Sequence, residues 1–130
     1  MNDAVVTAAT DLDQRASQNR KVIIVVSDGQ AVHNNSSVTD VRNRLGRSQI
    51  QFYGITVSIP VIAKASSVLE TYAKATGGDV YSGRTVDGMQ SAFALVTEQA
   101  RHQYVLSYVS SNEVSGRAPI VRKIELQCVS

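Results

Sequence analysis

The sequence predicts an α/β domain in which helices flank a parallel sheet and an antiparallel β-hairpin follows at the C-terminal end. Over residues 1–102, aliphatic segments alternate with segments of helical periodicity, which is the pattern of parallel strands joined by crossover helices. Residues 103–130 instead contain two extended segments around a turn-forming stretch, which is typical of a hairpin. We therefore interpret residues 1–130 as one domain with two parts.

Three strands are predicted in the first part. Lys21–Ser27 (KVIIVVS) and Ile50–Val57 (IQFYGITV) carry apolar residues at successive positions. This pattern is typical of strands covered on both faces in a parallel sheet. Pro60 follows the second strand, and Asp79–Ser82 is predicted as a short third strand.

Four helices are predicted around these strands. The first covers residues 2–18, and the second is capped by Ser37, with Asp40 at its third position. The third begins at Ser66 or Ser67 and ends at Gly77-Gly78, a predicted left-handed cap. Asp87 is expected to cap the last helix, whose apolar face is formed by Met89, Ala92, Phe93, Val96 and Ala100.

The hairpin is predicted from residues 103–130. Tyr104–Ser110 and Pro119–Val129 are both predicted to be extended, and the second alternates apolar with polar residues. The segment SSNEVSGRA between them contains the residues that form turns. The hairpin is therefore expected to have one solvated face.

Composition excludes several classes of protein. The chain has 130 residues, 43% of them hydrophobic, and a formal net charge of +2, so neither disorder nor a nucleic-acid partner is expected. The longest aliphatic run, Val22–Val26, is far short of the roughly 20 residues that span a membrane. Met1–Arg20 does not have the pattern of a signal peptide. Cys128 is the only cysteine, which excludes an internal disulfide and leaves the redox compartment open.

Asp28 is the candidate functional residue. It directly follows the first predicted strand, and ligands of open α/β sheets bind outside the carboxyl ends of the strands. An aspartate with hydroxyls and water supplies part of a Mg²⁺ shell. The alternative is that Asp28 only terminates the strand by bonding to its own turn.

Other motifs do not indicate catalysis. Gly77-Gly78-Asp79 follows a helix and lacks the spacing of a phosphate loop, and no G-x-S-x-G elbow occurs. His33 and His102 have no partner at ligand spacing and are expected at the surface or at helix ends. Cys128, on the apolar side of the last predicted strand, is expected to be a buried, inert thiol. No enzymatic activity is predicted.

Several of these segments together resemble the von Willebrand factor type A domain. The resemblance is carried by DAVVTAATDLDQR, KVIIVVSDG, QFYGITV and LETYAKATGGDVY. RHQYVLSYVSSNE and the later Arg122-Lys123-Ile124 look like a variant found in secreted or envelope-associated bacterial proteins. The resemblance implies a partial Rossmann-like sheet and a secreted or envelope location, which nothing else in the sequence indicates.

The family's metal-ion-dependent adhesion site is matched only at Asp28. Its Asp-x-Ser-x-Ser motif does not occur here, and its threonine would fall upstream of Met1. The resemblance thus implies a domain that lacks its N-terminal half. No cofactor is expected for this chain, and Mg²⁺ or Mn²⁺ is expected only in a full-length domain. Further protein ligands would have to come from residues 28–37, at Asn34, Asn35, Ser36 and Ser37, or from another chain.

The function inferred from the resemblance is non-enzymatic protein interaction of the adhesion type. Two alternatives stay open: a Mg²⁺-dependent enzyme that acts on nucleotides or phosphates through Asp28, and a fragment without independent activity. The partner is expected to be a protein of unidentified kind, with neither nucleic acid nor membrane involved.

A homodimer is also expected. Without the family's first strand, Val22–Val26 has an unpaired edge, which is a template for pairing with another strand. Two alternatives stay open, namely exchange of an element between two chains and cover of this edge by the C-terminal hairpin. The hairpin, however, follows the last helix and is expected near the opposite edge. The homodimer is therefore favoured.

Overall fold

The computed structural model describes residues 1–16, 20–28, 34–57 and 63–102, with the backbone only at 63–66. A three-stranded parallel sheet forms the centre of this part of the chain. The strands are β1 (Lys21–Ser27), β2 (Ile50–Thr56) and β3 (Val80–Ser82), in the order β1-β2-β3. The predicted α/β class is confirmed, with a partial Rossmann-like arrangement. The predicted hairpin lies outside the described residues.

The described residues also form four helices: α1 (Asn2–Arg15), α2 (Val38–Arg47), α3 (Ala63–Thr76) and α4 (Val86–Arg101). The third begins earlier than the predicted Ser66 or Ser67. Helices α1, α2 and α3 share one face of the sheet and enclose the main core, whose buried residues are Val5, Ala9, Ile23, Val41, Leu45, Ile50, Phe52, Leu69, Tyr72 and Ala73. Helix α4 makes its main sheet contacts with β2 and β3.

Helix α4 covers the opposite face of the sheet. Side chains alternate along a strand, so Tyr53 and Ile55 point away from Phe52 and the main core. A Cβ atom added at Gly83 would approach both Ile55 and Met89 of α4, which places α4 on the Ile55 side. Ala92 and Val96 of α4 are buried outside the main core.

The helix ends agree with the sequence at two of three points. Ser37 and Asp40 form the predicted capping box, and Gly77 adopts the predicted left-handed conformation with φ +72°. The N-cap of α4, however, is Thr85, whose hydroxyl accepts from the Gly88 backbone at 3.0 Å. Asp87 instead lies in the first turn, where a carboxylate interacts favourably with the helix dipole.

The burial of β1 differs from the prediction. Ile23 is buried, but Ile24 and Val26 are 40% and 47% exposed. Both lie on the α4 face, because they pair in register with Tyr53 and Ile55. Helix α4 is displaced toward β2 and β3, so this part of β1 is only half covered. Phe93 of α4 is likewise 40% exposed, although its spacing predicted a core position.

Candidate functional site

The carboxyl ends of the strands form the first candidate site, as the α/β class predicts. Asp28 directly follows β1 there and is exposed. Its strand, β1, lies at an edge of the described sheet and not at its centre. Among the described strands, β2 occupies the middle position.

The start of α1 is bonded to residues 34–36 at this end of the sheet. The backbone nitrogens of Met1 and Asn2 both donate to Asn34 Oδ1, each at 2.9 Å. The Asp3 carboxylate accepts from the backbone nitrogens of Asn35 at 2.9 Å and Ser36 at 2.8 Å. These hydrogen bonds favour the charged form and hold the pKa of Asp3 below its ordinary value.

Two further hydrogen bonds, one buried and one partly buried, lie behind the contact between α1 and residues 34–36. Tyr72 Oη donates to Asn2 Oδ1 at 2.9 Å, and Asn2 Nδ2 donates to Ser36 O at 2.9 Å. Asn2 is only 6% exposed, and burial raises the pKa of Tyr72 to about 12. Sequence reasoning missed these hydrogen bonds, since the residues that form them are far apart in sequence and belong to no local motif.

Two residues predicted as further metal ligands are thus engaged in structural bonds. Asn34 Oδ1 accepts two hydrogen bonds, which is the number of its lone pairs. Ser37 Oγ accepts from Asp40 N at 3.1 Å and donates to the Asp40 carboxylate at 2.6 Å. Within residues 1–16, 20–28, 34–57 and 63–102, no group of three His, Cys, Asp or Glu side chains could hold a metal ion. Asp28 stays the candidate metal ligand, with no ion expected for this chain.

A charged cluster at the other end of the sheet anchors β1. Asp13 of α1 contacts Lys21 Nζ at 2.7 Å and Arg44 Nη2 at 3.0 Å. Hydrogen bonds from Lys21 and Ser48 lower the pKa of Asp13. This cluster joins α1 and α2 to the beginning of β1, and its groups are paired with one another, so it serves the fold.

The edge of β1 is the second candidate site. Ser27 O accepts from Val57 N at 3.1 Å, so the backbone groups of Ser27, and of every second residue before it, point to β2. The N–H and C=O groups of Val22, Ile24 and Val26 consequently point to the other edge. Among the described residues no strand pairs there.

An apolar groove runs along this edge. It has a volume of about 490 Å³ and lies between β1 and α1; its lining residues are Met1, Ala4, Val5, Ala8 and Ile23–Ser27. Together with the half-exposed Ile24 and Val26, it presents backbone hydrogen-bonding groups and apolar side chains on one surface. We call Val22, Ile24, Val26 and this groove the β1 edge.

The remaining predicted residues fall into two groups. His102 lies at the end of α4, where its Nδ1 is 3.0 Å from Glu98 O and 3.1 Å from Glu98 Oε1, which confirms a helix-end histidine. His33 and Cys128 lie outside the described residues. None of the helices in the described part of the chain is long and apolar enough to cross a membrane.

Comparison of the chain with models of protein families, with curated proteins and with solved structures gave no match. The resemblance to the von Willebrand factor type A domain therefore remains a prediction from the residues that carry it.

Proposed function

We propose that this chain is a non-enzymatic protein-interaction module of the von Willebrand factor type A kind, with an incomplete metal site, and that it binds through the β1 edge. The observation that carries the proposal is the combination at β1 of outward-pointing backbone groups with half-exposed Ile24 and Val26. The partner is an extended protein segment that adds a strand to the sheet.

Strand addition suits this surface physically. A row of outward-pointing N–H and C=O groups provides main-chain hydrogen bonds to any extended segment, whereas apolar side chains beside the row provide area to bury. Burying apolar surface contributes about 25 cal/mol per Å² before the costs of association. A second copy of the chain, paired through Val22–Val26, is the partner that the sequence predicts.

The competing proposal is a Mg²⁺-dependent enzyme that acts on nucleotides or phosphates through Asp28. The engagement of Asn34 and Ser37 in structural hydrogen bonds favours the interaction module over it. Nucleotide titration followed by thermal unfolding distinguishes the two. A rise in melting temperature that saturates with ATP or GTP would favour the enzyme, and no rise is expected for the interaction module.

Hydrogen exchange of β1, measured together with light scattering over a range of protein concentrations, tests the interaction module. The amides of Ile23 and Val25 point to β2 and are protected in any case, which makes them internal controls. The amides of Val22, Ile24 and Val26 are expected to be protected as well, because another strand pairs with them. Fast exchange at these three positions at every concentration would overturn the proposal and leave a fragment without this activity.

A further inference from the structure

We propose that residues 104–110 of the same chain pair with the β1 edge, parallel to β1, and so compete with any outside partner for it. This inference rests on the proposed function, since it assumes that the β1 edge accepts a strand. In this proposal residues 104–110 occupy the β1 edge and regulate binding there. A homodimer through this edge then forms only when residues 104–110 are displaced.

The end of α4 lies beside the beginning of β1. Arg20, which directly precedes β1, donates from Nη1 to the carbonyl oxygens of Ala100 and Arg101, at 3.4 Å each. A neighbouring strand would lie about 4.8 Å from β1, and three residues span up to roughly 10 Å. Residues 102–104 are therefore long enough to lead the chain from α4 to the β1 edge.

The handedness of crossover connections selects the same edge. The crossovers from β1 to β2 and from β2 to β3 carry α2 and α3 on one face of the sheet. Helix α4 lies on the opposite face, so a right-handed crossover through it must move back across the sheet toward β1. Both positions beside β2 are already filled, by β1 and β3. The β1 edge is therefore the next position for a strand in that direction.

The composition of residues 104–110 fits a strand that is covered on both faces. Tyr104, Leu106 and Tyr108 would lie on one face, and Val105 and Val109 on the other. The groove between β1 and α1 is lined mainly by apolar side chains, so it offers the cover that one of these faces needs. In residues 119–129, apolar side chains alternate with charged or polar ones, which suits a strand with one solvated face.

The contacts of Arg20 with the end of α4 change which strand is expected to pair with the β1 edge. From the sequence, the segment after α4 was expected near the opposite edge, which favoured a homodimer. Because the end of α4 is bonded to Arg20, at the beginning of β1, a strand from the same chain can reach the β1 edge without the entropic cost of bringing two molecules together. Occupation by the same chain is therefore favoured over a second copy.

The test uses the full chain and proline substitutions in residues 104–110. Neighbouring residues of a strand point their N–H groups in opposite directions, so one of Leu106→Pro and Ser107→Pro must remove a bond to β1. Ser115→Pro, in the predicted turn, is the matched control. Exchange at Val22, Ile24 and Val26 is measured with light scattering, and Ile23 and Val25 report whether the sheet stays folded.

We expect a monomer whose three edge amides are protected to the same extent at every concentration. At least one of the strand variants should accelerate their exchange by roughly tenfold or more, with the Ile23 and Val25 amides still protected, and Ser115→Pro should not. Protection that appears only with dimer formation would overturn this inference but keep the proposed function. Protection in a monomer that neither proline changes would also overturn it, and absence of protection throughout would overturn both proposals.

Discussion

Strands β1 and β2 have the same length and different environments. Each has seven residues, and they pair along their full length, from Lys21 beside Ile50 to Ser27 beside Thr56. In β2, residues 52–55 are all buried, whereas in β1 only Ile23 is. Both strands are rich in apolar residues, yet one is a core strand and its neighbour is half exposed.

The difference arises from what packs beside each strand. β2 lies between β1 and β3, with α2 and α3 on one face and α4 on the other. β1 has one neighbouring strand among the described residues, and α4 lies mainly over β2 and β3. Polar contacts hold β1 at its beginning, through Lys21 to Asp13 and Arg20 to the end of α4. We conclude that packing stabilises β2 and that β1 depends more on these anchors.

The largest expected effect contrasts two isoleucines on the α4 face. Ile55→Ala in β2 should lower the free energy of unfolding by about 2–5 kcal/mol, because Ile55 is fully buried and a cavity would remain. Ile24→Ala in β1 should cost only about 1–2 kcal/mol, since part of that side chain is already in water. Urea unfolding of both variants measures the difference. Equal losses would show that Ile24 is as well packed as Ile55.

The next effect concerns the close approach of the turn after α3 to β2. A Cβ atom at Gly78 would lie 1.9 Å from Phe52 O, so Gly78→Ala must displace backbone of the central strand. We expect a loss of about 1–3 kcal/mol or more, as for other overpacked sites. Thermal and urea unfolding are the measurements.

Gly46→Ala is the matched control for Gly78→Ala. Gly46 lies in α2, and an added Cβ would have nothing within 4 Å. Replacing a helical glycine by alanine in open space should stabilise the protein by up to about 1 kcal/mol. A similar loss in both variants would contradict the role of the contact with Phe52.

The next prediction concerns the buried hydrogen bond from Tyr72 to Asn2, on the main-core face of the sheet. Tyr72 packs edge-on against Phe52, with ring centroids 5.4 Å apart, and donates to Asn2. Tyr72→Phe should cost about 1–3 kcal/mol, because the Asn2 oxygen would be buried without a donor. The free energy of unfolding at neutral pH measures this loss.

The same variant has a pH signature. The pKa of Tyr72 is about 12 in the folded protein and near 10 for an exposed tyrosine. A raised folded-state pKa means that the stabilisation is fully present below pH 10 and is lost as the pH rises from about 10 to 12. The difference between wild type and Tyr72→Phe should therefore shrink over this range. A constant difference up to pH 12 would contradict burial of the hydroxyl.

The smallest effect tests the anchor of β1. Asp13→Asn removes the ion pairs with Lys21 and Arg44 and should lower the melting temperature at pH 7. The folded-state pKa of Asp13 is lowered, so its stabilisation is present above the ordinary pKa near 4 and is lost as the pH falls below it. Melting curves of wild type and variant should therefore converge in acid.

Asp11→Asn provides the control for Asp13→Asn. Asp11 pairs with Arg15 at 2.7 Å on the exposed side of α1, where the two side chains are 52% and 79% exposed. Exposed pairs of this kind contribute little to stability, so its melting temperature should stay close to that of the wild type. An equal decrease in both variants would mean that Asp13 does not anchor β1 specifically.

Local features of this chain were predictable from its sequence. The capping box of Ser37 and Asp40 and the left-handed Gly77 were predicted and are present. Each depends on residues within a few positions of one another, and backbone geometry dictates the residue types. The parallel order of strands and helices was predictable for a related reason, because short connections leave few topologies.

The candidate sites were predictable only in part. The position of Asp28 after β1 follows from a strand pattern of a few residues. The partners of Asn34 at the start of α1 and the bond from Tyr72 to Asn2 connect residues that are 32 to 70 positions apart. No local pattern specifies such pairs, so the use of Asn34 in capping α1 could not be foreseen.

The fold class, the helix caps at Ser37 and Gly77, and the burial of β2 thus follow from the sequence alone. Tertiary structure decided the exposure of Ile24, Val26 and Phe93, which all have the residue types of a core. The physical reason is that hydrophobicity shows which surfaces gain by burial, while the positions of α4 and the neighbouring strands decide which of them are covered.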